Sequence, residues 1–125
     1  MQNGNNLHKI LIVEDNVAAQ ILVKEILEVL EVTIVVTGLA EEAIDLFKVY
    51  NTEIALVIID LKLPNWDGGE LLKQLRRINT NIPAIAVSAS RPTELAAKAK
   101  AAGFNGWMEK PFDLDEFVEM VSTYL

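Results

Sequence analysis

The chain has 125 residues, the usual size of one domain, with a formal net charge of −7, 51% hydrophobic and 23% charged residues, and no cysteine. These values exclude a disordered chain, a disulfide framework and a thiolate metal site. A sequence pI near 4.6, with Arg76-Arg77 as the sole basic cluster, also argues against a surface built to grip DNA or RNA. The acidic balance serves solubility, and a mean hydropathy of +0.26 points to a core rich in aliphatic residues.

The first six residues, Met1 to Asn6, are polar and lack the basic-then-apolar order of a signal peptide. Residues 1–8 therefore read as a polar tail before a single domain over 9–125, with the lone His8 away from any site. No apolar run reaches the roughly 20 residues of a membrane span, so a cytoplasmic protein with no membrane contact is expected.

Ile10-Leu11-Ile12-Val13 is a short continuous apolar run, as in a strand buried on both faces. Ala18, Ile21, Leu22, Ile26, Val29 and Leu30 then follow helical spacing, with Asn16 as N-cap. Val32 to Val36 is β-branched throughout and predicts a strand. A helix through Ala40, Ala43, Ile44 and Phe47 has Glu41 and Glu42 in its first turn, where they suit the dipole. Ile54 to Ile59 predicts a third strand ending at Asp60. Pro64, Asn65, Asp67, Gly68 and Gly69 punctuate a loop, with Trp66 expected to be exposed in it, before a helix with Leu71, Leu72, Leu75 and Ile78.

Ile82 to Val87 reads as a fourth strand with Pro83 near its start. Thr93 to Ala102 reads as an alanine-rich helix stopped by Gly103. A short strand around Trp107-Met108 leads to Lys110-Pro111. Asp113 and Glu116 then open a last helix with Leu114, Phe117, Val118 and Val121 on one face. The pattern is (βα)5. It predicts an α/β fold, a doubly wound parallel five-stranded sheet of flavodoxin-like type with strand order 2-1-3-4-5.

In that order the first and third strands are neighbours at the switch point, so Glu14, Asp15 and Asp60 meet in one crevice. Like charges so close repel unless a cation neutralises them. Oxygen donors with room for water favour Mg²⁺ or Mn²⁺ over zinc. Asp60 is then a candidate nucleophile toward phosphorus, giving an aspartyl phosphate. Lys110 supplies a fixed ammonium and Ser88 a hydroxyl donor to a phosphoryl oxygen, so that positioning and charge neutralisation provide the catalysis.

The chain resembles the receiver domain of two-component response regulators from about Lys9 to Leu125. The matching motifs are Ile12-Val13-Glu14-Asp15-Asn16, Ile59-Asp60-Leu61-Lys62-Leu63-Pro64, Asp67-Gly68, Val87-Ser88-Ala89, Ala102-Gly103 and Lys110-Pro111-Phe112. The resemblance implies that Asp60 is the phosphoacceptor, that Glu14 and Asp15 bind the metal, and that the Lys62 backbone carbonyl completes the protein's ligands. It makes Ser88 the switch hydroxyl and Lys110 the amine that pairs with the phosphoryl group, and it implies a cis bond before Pro111.

Trp107 stands where the family has an inward-turning aromatic switch residue. The resemblance places Lys62 and Ser90 where the family flanks the route of the attacking water and implies that they tune dephosphorylation. Small Ala89 leaves Asp60 open to a partner. The resemblance further implies a histidine kinase or histidine phosphotransfer protein as donor, and a downstream target or linked output domain as receiver of the signal. Dimerisation on phosphorylation is a further outcome the family allows. Readout is expected on the face of the fourth helix, fifth strand and fifth helix, which carries Trp107, Lys98, Lys100 and Glu116.

Three other classes of protein share parts of this pattern. A flavodoxin-type mononucleotide binder needs a phosphate loop after the first strand, where Glu14-Asp15 repels phosphate, and no Gly-x-x-x-x-Gly-Lys or Gly-x-Gly-x-x-Gly occurs. An aspartyl-nucleophile hydrolase needs a substrate-holding insertion that the short loops do not provide. A receiver-shaped interaction module independent of phosphorylation stays as the alternative reading.

Overall fold

A computed structural model of the chain describes residues 9–125; the expected tail over 1–8, with His8, lies outside the described residues. The central sheet consists of β1 (Lys9–Val13), β2 (Thr33–Thr37), β3 (Ile54–Asp60), β4 (Ala84–Ser88) and β5 (Gly106–Glu109). All neighbours pair in parallel, in the order β2-β1-β3-β4-β5. The helices are α1 (Val17–Leu27), α2 (Ala40–Tyr50), α3 (Gly68–Ile78), α4 (Pro92–Ala102) and α5 (Leu114–Thr123). A single 3₁₀ turn, Glu28–Leu30, extends α1. The flavodoxin-like fold expected from the sequence is the fold observed.

Strand alternation divides the core into two layers. Leu11, Val13, Val57, Ile59, Ala84 and Ala86 face α2, α3 and α4, where they meet Phe47, Leu71, Leu72, Leu75, Leu95 and Ala99. Ile10, Ile12, Leu56, Ile58, Ile85 and Val87 face α1 and α5, where they meet Val23, Leu27, Phe117 and Val121. A strand apolar on both sides is thus explained by helices on both sides.

Local chemistry fixes the helix ends. Asn16 Oδ1 accepts from Ala19 N at 2.9 Å, and Asp67 and Asp113 cap α3 and α5 in the same manner. Pro92 occupies the first turn of α4, and Gly103 ends that helix at φ +86°, a conformation that glycine adopts without a Cβ penalty.

Several expectations change. The buried face of α1 is Val23 and Leu27, whereas Ala18, Ile21, Leu22 and Val29 are exposed. That helix is apolar around much of its circumference, so spacing alone does not select the stripe that meets the sheet. β4 begins at Ala84 rather than Ile82, because Pro83 lacks the N–H a ladder needs. The loop after Asp60 contains a two-residue antiparallel ladder, Lys62–Leu63 with Trp66–Asp67, around Asn65 at φ +64°. Trp66 is consequently half-buried against the core rather than exposed.

Candidate functional site

Register builds the site. Val13 pairs with Ile59 across β1 and β3, so Glu14 and Asp60, each one residue further on, leave the sheet side by side. Asp60 pairs with Val87, and Ser88 with Glu109, which brings Ser88 and Lys110 to the same edge. The backbone continues the ladder past the strand ends: Glu14 N donates to Thr37 O at 2.9 Å, Leu61 N to Val87 O at 3.0 Å, and Lys110 N to Ser88 O at 2.8 Å. Gly68 is required by close approach, since a Cβ there would lie 2.9 Å from Leu61 Cα and 3.0 Å from Asp60 O.

Carboxylate oxygens of Glu14, Asp15 and Asp60 all lie within 4.8 Å of one another. Glu14 is only 3% exposed and Asp60 6%, while Asp15 faces solvent. Lys110 Nζ donates to Glu14 Oε1 and to Asp60 Oδ2, the latter at 2.9 Å. Burial by itself pulls the Lys110 pKa down, but its hydrogen bonds to Glu14 and Asp60 and their charges outweigh that, and the net shift is upward. Asp60 Oδ1 accepts from Lys62 N at 2.8 Å, and Glu14 Oε2 from Asn16 N at 3.1 Å. Both buried acids are thus held by a backbone donor as well as by the ammonium.

One ammonium against three carboxylates leaves two negative charges, the complement of a divalent cation, and the donors are all hard oxygens. The residues therefore fit Mg²⁺ or Mn²⁺. The remaining expected residues fall around this centre. Ser88 is fully buried at the end of β4, its hydroxyl bonded to Ser90 rather than free. The Lys62 side chain is exposed, and Ala89 is exposed. Trp107 is half-buried on β5, with Lys100 Nζ 5.7 Å from its ring centroid. The Lys110–Pro111 bond is cis, as the resemblance implied.

Sequence reasoning missed two supports. Gln20 Nε2, one turn into α1, donates to Glu14 O at 2.5 Å. The pairing of Ser88 with Ser90 was also missed, although two serines two residues apart at a strand end are a signal for a local side-chain bond.

A model of the response regulator receiver domain matches residues 10–122, and the chain belongs to that family. Sporulation initiation phosphotransferase F of Bacillus subtilis is 34% identical over 119 residues, covering 94% of this chain and 93% of that protein. The cell cycle transcriptional regulator CtrA of Caulobacter vibrioides is 31% identical over 113 residues, covering 90% of this chain but 48% of its own length. The chain thus spans about half the length of such longer regulators. Among solved structures, the receiver domain of the Saccharomyces cerevisiae response regulator Ssk1, crystallised with the histidine phosphotransfer protein Ypd1, superposes with a TM-score of 0.82. Its identity is 25%, over 94% of this chain and 88% of that one. Receiver domains are signalling domains of two-component systems. No helix among the described residues is long and apolar enough to cross a membrane.

Proposed function

We propose that this chain is a phosphorylation-activated switch over a single domain, residues 9–125, with Asp60 as its phosphoacceptor. The observation that carries this reading is the Lys110 ammonium spanning Glu14 and Asp60 inside an acidic cluster at the C-terminal sheet edge. An unpaired buried carboxylate would be costly, and a carboxylate meant only for structure has no need of a second and third beside it.

In the proposed step, an Asp60 carboxylate oxygen attacks the phosphorus of a phosphohistidine on a kinase or phosphotransfer protein. The Oδ–P bond forms and the P–N bond breaks. The imidazole nitrogen leaves with the electron pair and takes up a proton. Lys110 moves its ammonium from Asp60 Oδ2 to a phosphoryl oxygen, and Ser88 donates to another. Lys62 N stays on Asp60 Oδ1 and fixes the carboxylate plane. Glu14, Asp15, Asp60 and the Lys62 carbonyl would hold Mg²⁺ or Mn²⁺, which supplies charge neutralisation for the incoming group. Hydrolysis reverses the modification, with Lys62 and Ser90 at the rim of the water's route.

Phosphorylation then favours one of two conformations through the new Ser88 and Lys110 contacts. The readout face is α4–β5–α5. Support for it comes from an open cleft of ≈ 680 Å³ lined by residues of these elements, among them Trp107, Met120, Glu116 and Glu119. A linked output domain or separate target would read this face, and Trp107 would report it.

The test is intact mass after incubation with Mg²⁺ and a small acyl phosphate. One added phosphoryl group is expected, absent without metal and absent in Asp60→Asn, which keeps its circular dichroism spectrum. Addition at another residue in Asp60→Asn would refute the assignment. No addition even from a histidine phosphotransfer protein would leave the phosphorylation-independent module as the better reading.

A further inference from the structure

The Ser88 hydroxyl is already occupied. Its Oγ lies 2.9 Å from Ser90 Oγ and accepts from Ser90 N at 3.2 Å. Among the described residues these are the only bonds its side chain makes, and Ser88 is 0% exposed. A hydroxyl has one proton to give. Either hydroxyl can be the donor in this pair. With Ser88 as the donor, its one proton runs to Ser90 Oγ and the Ser90 N–H closes a two-bond ring over Ala89. In that arrangement Ser88 has no proton left for a phosphoryl oxygen on Asp60.

We propose that Ser88 is the donor and that Ser90 is a positioning residue that latches its hydroxyl in the unphosphorylated state, so that the switch engages only when this bond is given up. The inference rests on the reading of Ser88 as the phosphoryl-sensing hydroxyl. Its effect is separate from any influence of Ser90 on the attacking water. The latch lowers the population of the competent Ser88 orientation and so weakens binding of any tetrahedral phosphoryl group at Asp60. Ser90→Ala deletes the acceptor and keeps the backbone N–H, which leaves the Ser88 proton free to turn toward the site.

The probe is beryllofluoride with Mg²⁺, a phosphoryl mimic that is not hydrolysed, titrated calorimetrically into the described domain as the full 125-residue chain. One net hydrogen bond predicts that Ser90→Ala binds about two- to tenfold more tightly than wild type. Ser90→Thr, which restores a hydroxyl, should return toward wild-type affinity. In a Ser88→Ala background, Ser90→Ala should change nothing, because no proton remains to be latched. Unchanged or weaker binding by Ser90→Ala, or the same gain in the Ser88→Ala background, would overturn the latch while leaving the receiver reading intact. Failure of the wild-type chain to bind the mimic would overturn the site reading and the latch together. Cooperative thermal unfolding of each variant confirms that the comparison is between folded proteins.

Discussion

Lys110→Ala tests the electrostatic logic of the site most directly. The substitution removes the one cation that contacts Glu14 and Asp60, whose side chains are 3% and 8% exposed. At the 2.9 Å separation from Asp60, an effective dielectric near 20 gives a gross attraction of about 6 kcal/mol for one such pair. Desolvation of the ammonium, itself 22% exposed, offsets much of that. Removing one partner of a fully buried pair costs roughly 3–5 kcal/mol. Here Asp15 and the open rim admit water, so the expected loss is lower, about 2–3 kcal/mol in metal-free buffer. For a domain of this size that is a fall in Tm of about 8–12 °C.

Urea unfolding in chelator and in Mg²⁺ is the assay. Mg²⁺ should return most of the loss, because a divalent cation restores neutrality to the same carboxylates. Adding Asp60→Asn to Lys110→Ala should recover about half of the loss in chelator, by removing one of the two abandoned charges. The pH sign follows from the raised Lys110 pKa. Its stabilisation is complete below the ordinary lysine value of 10.5 and disappears as pH rises through the higher folded value. The gap between wild type and Lys110→Ala should therefore be flat from about pH 7 to 9 on the lysine side and close only in strong alkali. A loss under about 0.5 kcal/mol, equal in chelator and in Mg²⁺, would refute the view that Lys110 neutralises this cluster.

Two further outcomes are expected. Arg76 on α3 donates to Gly103 O, Ile82 O and Asn105 Oδ1, tying the end of α4 to the start of β4; Arg76→Ala should cost about 2–3 kcal/mol in urea unfolding, and an effect limited to local exchange of α4 amides would show that the tie is not part of the global fold. Burial lowers the Arg76 pKa, yet a guanidinium titrates far above neutrality, so this cost should not vary between about pH 5 and 9. Gly68→Ala forces a methyl against Leu61 Cα and Asp60 O, which should cost about 1–3 kcal/mol and slow the proposed phosphorylation at Asp60; an unchanged rate would show that the loop yields without disturbing the aspartate.

The order of elements and the identity of the acids were legible along the chain. Uninterrupted apolar runs such as Ile54 to Ile59 have strand length and turn residues at their flanks, which reads as strands covered on both faces, and alternating them with helices favours a parallel sheet. Because parallel strands end on one edge, Glu14, Asp15, Asp60, Ser88 and Lys110 were bound to share it. Periodicity did not decide which stripe of α1 meets the sheet. Val17, Ile21 and Leu22 are as apolar as Val23 and Leu27, and only the packing of α1 beside α5 on β1 and β3 selects the latter pair.

The same holds for the loop after Asp60. Its two-residue ladder depends on Asn65 adopting a positive φ, and it draws Trp66 against the core, which composition alone did not indicate. Contacts of long sequence separation were the least legible. Lys110 reaches Glu14 across 96 residues and Asp60 across 50, and no local pattern encodes which carboxylate an ammonium will hold. The alternation of strands and helices along the chain determines which groups arrive at an edge, since each helical crossover returns the next strand parallel to the last. Tertiary structure decides which of them pair, since hydrogen bonds and ion pairs depend on ångström distances that only the packed sheet sets.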